Sequence, residues 1–205
     1  MDKQVDKKHY EFSKYSYPDR WVSYFYQLKK VLESDPKSIL EIGVGDKVFG
    51  SFIKNNTNIH YQSLDVASDL NPDIVGSVSS IPCEKESFDT VCAFEVLEHL
   101  PFDKLTLSLD EMLRVSRGKV VISIPHFGPP IKFSLKIPFL PEVKLSFKIP
   151  FYQKHEFNGE HYWEVGKRGY SLNKVISEIE KGGKIVEHFV PFENQYHHFF
   201  VLEKK

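Results

Sequence analysis

Residues 38–52 read Ser-Ile-Leu-Glu-Ile-Gly-Val-Gly-Asp-Lys-Val-Phe-Gly-Ser-Phe. Ile39, Leu40 and Ile42 form a short apolar run of the kind that fills a buried strand. Gly43 and Gly45 then let the backbone turn sharply and approach another group closely. Val48, Phe49, Phe52 and Ile53 follow at helical spacing, so the glycine turn opens onto a helix N-terminus, where free amide N–H groups favour acceptor or anionic ligands. The stretch predicts a strand, a glycine loop and a helix arranged for a nucleotide-like cofactor.

A glycine pair after a strand is shared by several nucleotide folds, and two details narrow the choice. Glu41 places a carboxylate beside the loop, which repels a pyrophosphate and suits a cationic or amino-bearing ligand. The dinucleotide spacing G-x-G-x-x-G also fails, because Val48 occupies the third glycine position and the next glycine is Gly50. Glu-x-Gly-x-Gly resembles the first motif of class I S-adenosylmethionine-dependent methyltransferases. Lys47 stands where that family often has a further glycine.

The 205 residues, 41% of them hydrophobic, suit one domain with a sizeable core. Lys plus Arg (27) nearly balance Asp plus Glu (28), which argues against a surface built to coat nucleic acid. The first 20 residues are polar and tyrosine-rich without an apolar signal core, and no later run approaches the about 18 residues of a membrane span. Cys83 and Cys92 lack a metal-ligand pattern and read as reduced cysteines, so a cytoplasmic location is expected.

Around the central stretch, positions 19–33 predict a leading helix, and Tyr10, Tyr15, Tyr17 or Trp21 are candidates to fold over the ligand. Positions 59–64 read as a second strand ending at Asp65, placed to accept hydrogen bonds from a ribose diol. Val66 follows it. A short third strand at 73–75 and a β-branched fourth at 88–94 complete the first half. The spacing from Ile81-Pro82 to Phe88-Asp89 resembles the type 11 methyltransferases, whose adenine-contacting acidic position is Ser77 here; its hydroxyl can accept one hydrogen bond and the Val78 N–H can donate another.

Residues 95–100 read Glu-Val-Leu-Glu-His-Leu, and on a helix Glu95, Glu98 and His99 share one face. Val-Leu-Glu-His-Leu resembles the type 11 methyltransferases, which implies Glu95, with Phe94, at the cofactor and Glu98 and His99 orienting loops by hydrogen bonds; His99 is alternatively a candidate base. Glu-x-x-Glu-His also resembles the divalent-metal segment of small-RNA 2′-O-methyltransferases, which implies an alternative Mg²⁺ or Mn²⁺ site on Glu95, Glu98, His99 and His161 or His126; no metal is the primary expectation. Residues 102–117 predict an amphipathic helix ended by Gly118. An apolar fifth strand at 119–124 carries His126 just beyond its tip, a further candidate for substrate contact or base.

An internal repeat follows: residues 132–139 (Lys-Phe-Ser-Leu-Lys-Ile-Pro-Phe) and 144–151 (Lys-Leu-Ser-Phe-Lys-Ile-Pro-Phe). Strict alternation predicts a hairpin with one apolar and one basic face. It packs its apolar face on its own domain or a second subunit, forms a lid over the substrate, or meets a lipid surface. Ser171 then caps a helix that stops at Gly182-Gly183, and 184–190 and 196–202 predict two closing strands.

The resemblance implies an α/β, Rossmann-like class I methyltransferase fold, a seven-stranded mostly parallel sheet with an antiparallel last strand, to which the repeat adds an inserted β-hairpin-like arm outside the resemblance. A single domain over 1–205 divides into an aromatic helical cover (1–35), a cofactor core (36–126), the arm (127–157) and the closing helix and strands (158–205). The expected activity is S-adenosylmethionine-dependent methylation of a small-molecule acceptor. His99, His126 and Glu95 are its catalytic candidates. Glu41, Gly43, Gly45, Asp65, Val66, Ser77, Val78, Phe94 and Glu95 are the expected cofactor contacts. No nucleic acid or transmembrane segment is expected, and a homodimer through 127–157 is an option. A methyltransferase-like binding module without turnover and a Rossmann oxidoreductase are the competing readings.

Overall fold

A computed structural model describes residues 7–149, 153–157 and 159–205. In chain order its strands are β1 (Ser38–Ile42), β2 (His60–Asp65), β3 (Ile74–Val75), β4 (Phe88–Phe94), β5 (Ser116–Pro125), β6 (Pro130–Leu135), β7 (Val143–Lys148), β8 (Lys184–Phe189) and β9 (His197–Glu203). Among the described residues, seven of them form one sheet in the order β3-β2-β1-β4-β5-β9-β8, while β6 and β7 pair apart from it. β1 to β5 run parallel, and β9 lies antiparallel between β5 and β8. Chain order reverses between β1 and β4, so the carboxyl ends of these strands border the crevice where open α/β sheets hold ligands.

Helices cover both faces. On one side lie α2 (Pro18–Leu32), preceded by the short α1 (Phe12–Tyr15), and α3 (Val48–Asn56). Val31, Phe49 and Ile53 from these helices meet Ile39, Cys92 and Val121 of the sheet. On the other side α4 (Leu105–Val115) and α5 (Leu172–Gly182) bury Leu105, Leu109, Met112, Val175 and Ile179 against Val91, Val120 and Ile122. Each such aliphatic side chain contributes roughly 1.5–3 kcal/mol by leaving water. Pro18 starts α2 where its missing N–H costs nothing, and the Ser171 hydroxyl accepts the Lys174 amide at the head of α5.

Two expectations change. α4 stops at Val115, and Ser116, Arg117 and Gly118 already belong to β5. Gly118 is a point of close approach, since a Cβ there would lie 2.6 Å from the Asp89 carbonyl oxygen. Residues 95–100 are not one α-helix: Glu95 bends with φ +56, and only Leu97–His99 form a single 3₁₀ turn. Glu95, Glu98 and His99 therefore do not share a helical face.

Candidate active site

Local chemistry shapes the glycine loop. Gly43 has φ +81 and donates its N–H to the Leu64 carbonyl at 2.8 Å, and a Cβ on it would fall 2.4 Å from Val96 Cγ2. Gly45 has φ +45. Lys47 also takes a left-handed conformation, φ +67, at the N-cap of α3, so the backbone there keeps the shape that a glycine adopts most easily. Asp46 accepts the Val48 amide at 3.2 Å and a short hydrogen bond from the Tyr24 hydroxyl.

The loop borders an open cavity at the carboxyl ends of β1, β2 and β4. Gly43, Gly45, Leu64, Asp65, Val66, Gly76 and Val78 line it, together with Phe94, Glu95 and His99. Asp65 accepts the Val44 amide at 2.9 Å through Oδ2 and the Ala67 amide at 2.8 Å through Oδ1, tying the tip of β2 to the glycine loop. Each carboxylate oxygen retains a lone pair for a ligand hydroxyl. Val78 is held from behind: Arg114 of α4 donates to the Ile81 and Cys83 carbonyls and pairs with Glu111, which accepts the Ile81 amide.

Tyr10 and Tyr15, two of the four flagged aromatics, line the cavity from the N-terminal segment, packed edge to face at 4.9 Å. The Arg20 guanidinium lies 4.2 Å from the Tyr15 ring centroid. Burial, reinforced by Asp65 and Asp46, pushes the Tyr10 phenol up to about 12.

Three of the sequence-predicted contacts point elsewhere. Glu41 is buried and accepts a short hydrogen bond from Tyr61, beside Gly50, and does not line the cavity. Ser77 turns its hydroxyl to the Ser79 amide at 3.2 Å and does not line the cavity either. His126 stacks on His198 with its Nδ1 2.9 Å from the His198 Nδ1, and His198 in turn meets His188; none of the three lines the cavity. Burial and then Lys148 press His126 down to about 3.

In the cavity wall Glu95 accepts the Ser123 hydroxyl at 2.8 Å, and its other oxygen lies 3.3 Å from His197 Nε2. Burial raises the Glu95 carboxyl to about 7, against the pull of Arg20. Burial and then His161 lower His99 to about 4. Glu98 is wholly buried, its oxygens receive no hydrogen bond from another residue, and burial followed by Glu95 holds its carboxyl well above the usual range.

His161 reaches this corner because the Tyr162 amide donates to the Glu98 carbonyl and the Trp163 indole N–H to the Leu100 carbonyl. Its Nε2 stands 3.9 Å from Glu98 Oε1, while its Nδ1 lies 3.1 Å from Glu164 Oε1. One ligand atom each from Glu98, His99 and His161 lie within 4.8 Å of one another, a trio that leaves Glu95 out. Sequence reasoning missed Arg20, Ser123, Glu164 and His197. Each depends on a partner distant in the chain, and none carries a local motif.

Residues 40–123, spanning β1 to β5, match the type 11 family described as a methyltransferase domain. No curated protein matches the sequence. Among solved structures, a Pyrococcus horikoshii protein aligns with TM-score 0.61 at 13% identity, covering 98% of this chain and 100% of that one. A Burkholderia thailandensis 1,6-didemethyltoxoflavin N1-methyltransferase, solved with 1,6-didemethyltoxoflavin and S-adenosylhomocysteine, aligns with TM-score 0.62 at 12% identity, covering 97% and 84%. An S-adenosylmethionine-dependent methyltransferase from Clostridium acetobutylicum aligns with TM-score 0.61 at 8% identity, covering 96% of each chain. At such identities the structural likeness is one of fold.

A mostly parallel sheet with β9 inserted antiparallel gives this chain the Rossmann-like fold of these methyltransferases, and residues 40–123 carry the match to the methyltransferase-domain family.

Proposed function

We propose that the chain transfers a methyl group from S-adenosylmethionine to a small-molecule acceptor held beside Glu95 and His99 in the cavity. The observation that carries this reading is the single cavity that Gly43, Gly45 and Asp65 line together with Glu95 and His99, with Tyr10 and Tyr15 among its walls. In this reading Asp65 accepts the ribose hydroxyls, the Val66 and Val78 side chains flank the adenine, and the glycine loop meets the methionine end. The Asp65 and Glu95 carboxylates favour the cationic sulfonium electrostatically. Two tyrosines on the cavity wall leave room for a compact acceptor, and the Burkholderia relative of like fold acts on a small heterocycle. Free Cys83 and Cys92 accord with a reducing, cytoplasmic setting, and no described helix is long and apolar enough to cross a membrane.

Methyl transfer is an in-line displacement at the sulfonium carbon, so positioning supplies much of the rate and a base is needed when the acceptor must lose a proton. Glu95 fits that role better than His99. A carboxylate poised near 7 both ionises at neutral pH and holds a proton usefully, whereas an imidazole pressed to about 4 is a weak base. His126 lies outside the cavity wall and serves as a packing and hydrogen-bonding residue. Calorimetric titration with S-adenosylmethionine tests the cofactor assignment: Asp65→Ala loses at least about 10-fold in affinity, the equivalent of about 1.4 kcal/mol. An unchanged affinity in the variant rejects Asp65 as the ribose contact.

One observation favours a second element of the chemistry. A buried carboxylate without a donor, two imidazoles within 4.8 Å, and a Glu164 carboxylate orienting one of those rings fit a divalent cation. Glu98, His99 and His161 would hold it. Such an ion polarises an acceptor hydroxyl. With two imidazoles, Mn²⁺ or Zn²⁺ suits the donors better than Mg²⁺. The melting temperature reads this without turnover: a hundredfold excess of Mn²⁺ over its dissociation constant raises it by about 5 °C or more, and His161→Ala removes the rise. No rise with Mn²⁺, Zn²⁺ or Mg²⁺ refutes the metal reading.

A further inference from the structure

The β6–β7 hairpin turns the unexpected face outward. Its register pairs Ile131 with Phe147, Phe133 with Leu145 and Leu135 with Val143, so these six side chains share one face. The opposite face carries Lys132 beside Ser146 and Ser134 beside Lys144. This polar face grips the chain's own domain. Lys144 reaches Glu193 Oε1 at 2.6 Å, Lys132 the Glu193 carbonyl at 3.3 Å, and Gln195 donates to Ser146 at 3.2 Å. Lys148 donates to the His126 carbonyl, and Lys132 and Lys144 both lie over the Phe192 ring. The apolar face is therefore left in solvent, with Phe133, Leu145 and Phe147 each more than half exposed and Phe139 at the turn fully so. Pro150 and Phe151 of the second repeat lie outside the described residues.

We propose that this face pairs with the same face of a second copy of the chain. Ten large apolar side chains between positions 131 and 149 are exposed, which together present on the order of 1,000 Å². That exceeds the roughly 300–600 Å² of the largest patch on a typical monomer and matches the roughly 800 Å² per partner of a stable interface. Each of the two phenylalanines faces an aliphatic residue across the hairpin, on opposite strands. A twofold axis sets the same face of two copies against each other, and the side chains of sheets packed face to face interdigitate.

Charge decides against the other occupants. An element lying on a lipid surface keeps cations available beside its apolar face. Here Lys132, Lys144 and Lys148 are committed to the domain behind, and Lys136 donates to the Leu140 carbonyl at 2.6 Å. No hairpin residue lines the cavity, so the arm is not a lid in this conformation.

Sedimentation velocity from 1 to 100 µM tests the pairing on the full chain. The wild type sediments as a dimer, and Phe133→Ser/Phe147→Ser weakens association at least 100-fold with unchanged circular dichroism, melting temperature and S-adenosylmethionine affinity. Leu145→Asp, on the same face, gives the same result with a single change. A wild type that stays monomeric at 100 µM overturns the proposal, as does a dimer indifferent to these variants. Monomeric wild type that pellets with phosphatidylcholine–phosphatidylglycerol vesicles overturns it too, and assigns the face to lipid.

Discussion

Gly43→Ala probes the cavity at its tightest point. The Gly43 φ of +81 lies in the left-handed region, where an alanine costs about 1–2 kcal/mol. The new Cβ also falls 2.4 Å from Val96 Cγ2, against the roughly 3.5–4 Å at which carbon atoms attract. The loop cannot slide away easily, since the Gly43 amide is bonded to the Leu64 carbonyl and the Val44 amide to Asp65. Relieving an overlap of that size costs a further 1–3 kcal/mol or so, for a total near 2–5 kcal/mol. Urea unfolding reads the loss directly. A double-mutant cycle with Val96→Ala separates the two parts: the clash couples the sites by about 1–3 kcal/mol, while the backbone cost of about 1–2 kcal/mol persists in the double variant. A loss below about 1 kcal/mol, or a coupling near zero, refutes the steric account of why this position is glycine.

Two further outcomes follow from buried carboxyls. Burial holds Glu41 at about 8 in the folded protein, offset in part by the Tyr61 hydrogen bond, against an ordinary value of 4.5. The folded chain thus retains a proton that the unfolded chain has lost, so stability is fully present below about pH 4.5 and falls as pH rises toward 8, at up to about 1.4 kcal/mol per pH unit. Glu41→Gln flattens urea-unfolding stability across that window, and a slope as steep as wild type sinks the assignment. For Glu95, activity on an acceptor that must deprotonate rises with pH through about 7; Glu95→Gln loses that limb and on the order of 10²–10⁴ in kcat. A variant with the wild-type pH profile removes Glu95 as the base.

The N-terminal segment joins cofactor enclosure to the state of that base. Tyr10 and Tyr15 line the cavity, and Arg20 lies against the Tyr15 ring at the start of α2 while its charge draws Glu95 toward ionisation. Arg20 is itself largely shut from solvent, so its field is screened little by water. The segment that carries the cavity-lining tyrosines therefore also holds the cation that offsets the burial of Glu95. Coverage and ionisation are coupled through one side chain.

Much of this was legible because it is local. The change from an apolar strand to helical spacing across Gly43 and Gly45 marks the β1–α3 unit without tertiary information, and Asp65 follows from the end of the next strand. Glu41 was harder, since a central parallel strand is buried on both faces and its pattern does not say which face looks into the crevice; Tyr61, twenty residues on, settles the matter. The helical reading of 95–100 failed at the backbone of Glu95 and Val96, the first of which has a positive φ that no periodicity reports. Ser116 and Arg117 continue the helix pattern but are drawn into β5 by pairing with β4, where Gly118 admits the Asp89 carbonyl. His126 does sit at a strand tip, yet β9 inserts beside it and presents His198 as its partner.

In the arm, alternation defines two faces but not their direction. Direction depends on what the domain offers, and the 192–195 loop offers an acidic side chain, carbonyls, an amide and an aromatic ring, all partners for lysine and serine. The basic face turns inward for that reason, and the repeat's apolar half is left to a partner.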